Sequence, residues 1–120
     1  MNIFIIHPVR NLSDQWQQGL TAYVKSLEAQ GHTVYFPLRD TYQSDNSGLG
    51  ICEHNRTAIL NADEVHIAWD GKSEGCLFDL GMAFALTKRI RTIIGYFPNI
   101  TRHKSFASMT FAWEAEQDGI

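Results

Sequence analysis

Asp79 stands in the segment Ser73-Glu74-Gly75-Cys76-Leu77-Phe78-Asp79-Leu80-Gly81-Met82-Ala83, just after the apolar run Val65-His66-Ile67-Ala68-Trp69 and the turn Asp70-Gly71. The order reads as strand, polar loop, then helix. Open α/β sheets bind ligands beyond the carboxyl ends of their strands, where such loops lie. The spacing puts Asp79 in the first helical turn, where the helix dipole and free backbone N–H groups hold a carboxylate ionised. Facing a cleft, such a group serves as nucleophile, base or hydroxyl clamp. It can equally be an acid that caps a helix beside a turn, and the segment alone leaves both readings open.

Parallel topology brings three segments to the same edge: His7 to Asn11, Leu38 to Asn46, and Asp70 to Asp79. They offer His7, Arg10, Arg39, Asp40, Asp70, Ser73, Glu74 and Asp79, a mixture suited to a small polar ligand with hydroxyls and a phosphate. Arg10 can grip a phosphate or carboxylate bidentately, or remain a solvated loop arginine. His7 is a candidate base or a satisfied structural histidine. Asp70-Gly71 is also a common turn dipeptide. Trp16, Trp69 and Trp113 read as core residues rather than as stacking platforms for bases.

The elements that must position these groups follow from periodicity. Asn2 to Ile6 reads as a buried parallel strand, ended by Pro8. Leu12, Trp16, Leu20, Tyr23, Val24 and Leu27 recur at helical spacing, and Gly31 stops that helix. His32 to Phe36 is a second strand, and Leu38 to Gly50 a long loop over the site. Ile51 to Leu60 reads as a short helix and Asp63 to Trp69 as the third strand. Gly75 to Lys88 is the next helix, with Leu77, Leu80 and Phe84 on one face, and Arg91 to Phe97 is the fourth strand. Ser105 to Glu116 is a final helix, or a strand followed by a tail. The expected fold is a small Rossmann-like or flavodoxin-like α/β domain spanning 1–120, with a mostly parallel sheet covered by helices on both faces.

Composition narrows the function. The 120 residues suit a single domain, with 44% hydrophobic and 19% charged residues. A formal charge of −3 and the lack of a Lys/Arg cluster argue against a nucleic acid polymer as partner. Cys52 and Cys76 form no metal or disulfide pattern, which fits a reducing cytoplasm. No signal peptide and no apolar segment of membrane-spanning length is read, so the expectation is a soluble cytoplasmic protein. No G-x-G-x-x-G follows the first strand and no P-loop motif occurs, which disfavours a dinucleotide enzyme or NTPase. A receiver domain would want paired acids after the first strand and a lysine after a late one; His7-Pro8 and Tyr96-Phe97 do not supply them.

The stretch Val65-His66-Ile67-Ala68-Trp69-Asp70-Gly71, followed by Ser73-x-Gly75-x-x-x-Asp79-Leu80-Gly81-x-Ala83, resembles the nucleoside 2-deoxyribosyltransferase superfamily, which includes deoxynucleoside 5′-monophosphate N-glycosidases. Ile51-Cys52-Glu53-His54-Asn55, Ala58-Ile59 and Ala62-Asp63 are similar to the segment preceding the same strand. Phe4-Ile5-Ile6-His7-Pro8-Val9-Arg10 is similar to the first strand and its sugar- or phosphate-contacting loop. The resemblance covers residues 2 to 97 and is densest over 51 to 85.

It implies an enzyme of the N-glycosidic bond in which a carboxylate attacks the anomeric carbon, the base departs, and a second base or water resolves the glycosyl ester. Asp79 takes the place of the nucleophile and Asn55 that of the residue assisting the leaving base. Ser73 and Arg10 match nucleotide contacts, Gly75 a close backbone approach to the sugar, and Gly81 a helix packing against the sheet. With His7, Asp40, Asp70 and Gly71, these form the expected substrate site for a nucleoside or nucleotide. No cofactor and no metal is implied, and a homo-oligomer is, to which Phe106 to Trp113 can contribute.

Three positions depart from the family pattern. Asp79 replaces a glutamate one methylene longer, a displacement worth on the order of 100-fold where attack geometry is demanding. Phe4 replaces a tyrosine that orients the carboxylate, and Asn55 an aspartate that can donate a proton. A shifted helix at Asp79, His7 as substitute acid, and Asp40 or Asp70 as orienting carboxylate are the open compensations. The alternative is a nucleotide-binding or sensing domain that kept the pocket and lost the chemistry.

Overall fold

A computed structural model describes residues 1–119. The elements are β1 (Asn2–Ile6), α1 (Asp14–Ala29), β2 (Thr33–Tyr35), α2 (Pro37–Asp40), α3 (Leu49–Asn61), β3 (Glu64–Ile67), α4 (Glu74–Ala85), β4 (Arg89–Thr92) and α5 (Phe106–Gln117). The four strands form one sheet in the order β2-β1-β3-β4, every neighbouring pair parallel. The α/β expectation holds.

β1 is buried on both faces, as its unbroken apolar run requires. Phe4 and Ile6 point to one face and meet Val65, Ile67 and Ile90, beneath Ile59 of α3, Leu80 and Ala83 of α4 and Ala107 of α5. Ile3 and Ile5 point to the other, beneath Leu20 and Val24 of α1. Ser13 caps α1 by accepting the Trp16 N–H at 3.2 Å, and Gly31, at φ +94°, turns the chain into β2. Gly19 lets Tyr96 lie across α1, since a Cβ there would overlap the Tyr96 ring and hydroxyl.

Several expectations need correction. Helices cover both faces of the sheet as expected, but not evenly. Register places Glu64 and His66 beside Ile3 and Ile5, and Arg89 and Arg91 beside Glu64 and His66. The α1 side of β3 and β4 is therefore an ionic patch, with His66 Nε2 at 2.8 Å from Glu64 and Arg91 at 2.7 Å from Asp118. The segment Leu38 to Gly50 contains α2, opened by Pro37 at its first position, and the start of α3, where the Asp45 side chain accepts the Gly50 N–H at 2.6 Å. The fourth strand is Arg89–Thr92; Ile93 to Tyr96 form a turn with Gly95 at φ +89°.

On α4 the buried stripe is Cys76, Asp79, Leu80 and Ala83, while Phe84 is exposed and meets Trp113 edge-on. Gly81 faces open space and is not a packing contact. The final segment is a helix, α5.

Both sheet edges take side-chain hydrogen bonds. Arg39 donates to Val34 O on β2 at 2.9 Å. On β4, the Ile90 N–H donates to Gln117 at 2.8 Å and the Thr92 N–H to Glu114 at 2.9 Å, while Gln117 Nε2 returns a bond to Ile90 O at 3.3 Å. Among the described residues no helix is long and apolar enough to cross a membrane.

Candidate active site

β1 leads to β2 on one side of it, and β3 lies on the other. The loops after β1 and β3 thus part at the topological switch point, where α/β sheets hold ligands. Asp79 of α4 and Asn55 of α3 lie on the helices packed side by side next to this crevice.

Asp79 is the sixth residue of α4, in its second turn; Glu74 occupies the first. The expectation that the helix terminus holds Asp79 ionised is overturned. Only 9% of the residue is exposed, and burial raises its pKa to about 7, with the Asn55 amide pulling the other way. A buried carboxyl shifted this far toward neutrality is a candidate functional group.

Asn55 is buried, and its Oδ1 accepts the Thr41 hydroxyl at 3.0 Å. Thr41, also buried, follows α2 and stands 2.7 Å from the Tyr35 hydroxyl of β2. The Tyr35 ring stacks on Phe4, centroids 5.5 Å apart. Cys52, one turn before Asn55, has its thiol pushed up by burial and by Asp79 and Asp45; Cys76 is pushed up to about 12 by burial. Both thiols are protonated at neutral pH.

The loop after β3 is one rigid unit. Asp70 Oδ1 accepts the N–H groups of Lys72 at 2.9 Å and Ser73 at 2.8 Å, an Asx turn closed by Gly71 at φ +79°. Ser73 then caps α4, accepting the Cys76 N–H at 3.3 Å, while its carbonyl takes the Trp69 indole N–H at 3.1 Å. Gly75 is exposed; a Cβ there would meet only Ser73 Oγ, at 3.9 Å. Asp70, Gly71, Ser73 and Gly75 thus lie together at the start of α4. Arg10 lies exposed in the loop after β1.

Two expected groups are committed elsewhere. His7 is buried, its Nδ1 bonded to Pro8 O at 2.8 Å and its Nε2 accepting the Leu38 N–H at 3.2 Å. Burial lowers its pKa to about 4. With both nitrogens engaged, His7 has no proton to give a leaving base. Asp40 accepts the Phe36 N–H at 2.9 Å and pairs with Arg39 at 2.8 Å, so it does not orient Asp79. Asp70 is spent on its own turn. Tyr35 and Thr41 were missed. Thr41 sits in a segment read as loop, and only the register of Phe4 against Tyr35 brings the hydroxyl to the site. Among the described residues no group of three or more His, Cys, Asp or Glu is placed to hold a metal ion.

No protein-family model and no curated protein matches this sequence. Solved structures do match the fold. The CMP N-glycosidase BcmB of Clostridium botulinum superposes with a TM-score of 0.59 at 18% identity, over 77% of this chain and 70% of its own. A 2-deoxyribosyltransferase from Bacillus psychrosaccharolyticus superposes with a TM-score of 0.65, also at 18% identity, over 82% of this chain and 77% of its own. The chain therefore has the α/β fold of the nucleoside 2-deoxyribosyltransferase-like proteins.

Proposed function

We propose that the protein cleaves or exchanges the N-glycosidic bond of a nucleoside or nucleotide, with Asp79 as nucleophile. The observation that carries this reading is the buried Asp79 carboxyl, braced by Asn55, beside the switch point of a fold shared with a CMP N-glycosidase and a 2-deoxyribosyltransferase. The ionised Asp79 attacks the anomeric carbon, the bond to the base breaks as its electron pair leaves with the base, and a glycosyl ester forms. Water or a second base then attacks the same carbon and releases Asp79. Desolvation favours such chemistry, because a carboxylate shielded from water meets the developing oxocarbenium charge more strongly.

Ser73 and the open backbone at Gly75 receive the sugar, with Asp70 and Gly71 shaping that loop, and Arg10 takes a phosphate. Asn55 hydrogen-bonds without donating a proton as an acid would. A homo-oligomer belongs to the same reading, tested by light scattering.

The test is to incubate the protein with deoxynucleosides, deoxynucleotides and CMP, and to follow free or exchanged base by chromatography. Base release that Asp79→Ala abolishes supports the reading; no release from any substrate sinks it. The commitment of His7 and Asp40 to the scaffold favours one second reading, a domain that binds a nucleotide without turnover. It predicts thermal stabilisation by a nucleotide and no base release.

A further inference from the structure

The hydroxyls of Tyr35 and Thr41 form a chain of one direction that ends on Asn55, the amide that acts on Asp79. Thr41 Oγ1 carries a single proton, and this goes to Asn55 Oδ1 at 3.0 Å. The contact of 2.7 Å between Thr41 Oγ1 and the Tyr35 hydroxyl is then made by the tyrosine proton; its other acceptor, Asp40 O, is at 3.5 Å. With Oδ1 occupied, Asn55 turns its NH2 to Asp79. Against the ionised carboxylate, the opposite amide orientation would set two lone-pair-bearing oxygens face to face.

The geometry points to Tyr35 and Thr41 as positioning residues that lock the Asn55 amide with its N–H donors on the Asp79 carboxylate. This replaces the hydroxyl that Phe4 lacks with one from the adjacent strand, held by the Phe4–Tyr35 stack, whose planes lie 11° apart. The catalytic meaning of this lock rests on the function proposed above, but the lock itself does not. The titratable groups near Asp79 are the Cys52 and Cys76 thiols, both pushed up and neutral, with Asp45 beyond Cys52 and Asp70 beyond Cys76. Burial and the Asn55 amide set the Asp79 titration, so its midpoint reports directly on the amide.

The test is a 13C NMR titration of the Asp79 carboxyl in the intact protein, assigned with Asp79→Asn. Tyr35→Phe keeps the stack and Thr41→Val keeps the shape; each is expected to raise the midpoint by roughly one unit, as loss of a bond favouring the charged form does. Thr41→Ser is expected to restore it, and Tyr35→Phe to add nothing in an Asn55→Ala background. An unchanged midpoint in Tyr35→Phe and Thr41→Val overturns the inference, whether or not Asn55→Ala moves it. Because the readout is a titration, absence of turnover would remove the proposed function and leave this lock standing.

Discussion

The Nε2 of His7 accepts the backbone N–H of Leu38 at 3.2 Å, so a neutral imidazole ties the loop after β1 to α2. Protonation destroys that acceptor. Burial disfavours the charged ring and lowers its pKa from 6.5 to about 4 in the fold, so the unfolded chain binds the proton more readily. On this account stability is lost as pH falls from 6.5 to about 4, by roughly 3 kcal/mol.

Asp79 works in the opposite sense. Its folded pKa of about 7 lies above the ordinary 3.8, so the folded state holds the proton more tightly, and stability is lost as pH rises from about 4 to 7, by roughly 4 kcal/mol. The two slopes oppose one another over the same window. Urea unfolding between pH 4 and 8 is expected to show a shallow profile for the wild type. Asp79→Asn should rise steeply from pH 4 to 6.5 and exceed the wild type at pH 8 by up to about 4 kcal/mol. Parallel curves for the two proteins would refute this balance.

Base release should follow the ionisation of Asp79. Because the nucleophile must be charged, kcat/KM is expected to climb through about pH 7 and level above it. Asp79→Asn should lose activity on the order of 10⁴-fold. A rate already level at pH 5 would mean that another group carries the reaction.

Ser73 has a structural duty separable from any ligand contact. Ser73→Ala removes the cap on the Cys76 N–H and is expected to cost about 1 kcal/mol in urea unfolding. The Asp70 turn, built on the Ser73 backbone, should persist. If KM for the substrate rises as well, the hydroxyl also meets the ligand; an unchanged KM assigns it to capping alone.

Gly19→Ala should behave against helix propensity. Alanine in a helix ordinarily stabilises it by up to about 1 kcal/mol, yet here the added methyl runs into Tyr96. A net loss of about 1–2 kcal/mol is expected, partly relieved by Tyr96→Phe. A gain in melting temperature for Gly19→Ala would show that Tyr96 can move aside freely.

The strands and helices that place the site were legible because their apolar residues repeat at fixed periods, as in Ile3–Ile6 and Leu20–Val24. The association of residues 51 to 85 was legible too, since Asn55 and Asp79 sit on helices that flank one strand. What the order of residues does not encode visibly is side-chain direction. Nothing in the order of residues shows that His7 spends both nitrogens on backbone or that Asp40 turns to Arg39. The turn at Asp70-Gly71 was legible from its dipeptide, but the cap that Ser73 gives to α4 was hidden for the same reason. Phe84 misled because helical spacing marks a face without saying whether that face is covered; Phe84 stays exposed although it meets Trp113 of α5 edge-on.

The closure of β4 by Glu114 and Gln117 means that side chains imitate the backbone of a neighbour that is not there. The width of the sheet is thereby written into two residues of a helix far along the chain. Replacing both with leucine would turn a finished border into an open seam, ready to accept an extended segment from another molecule.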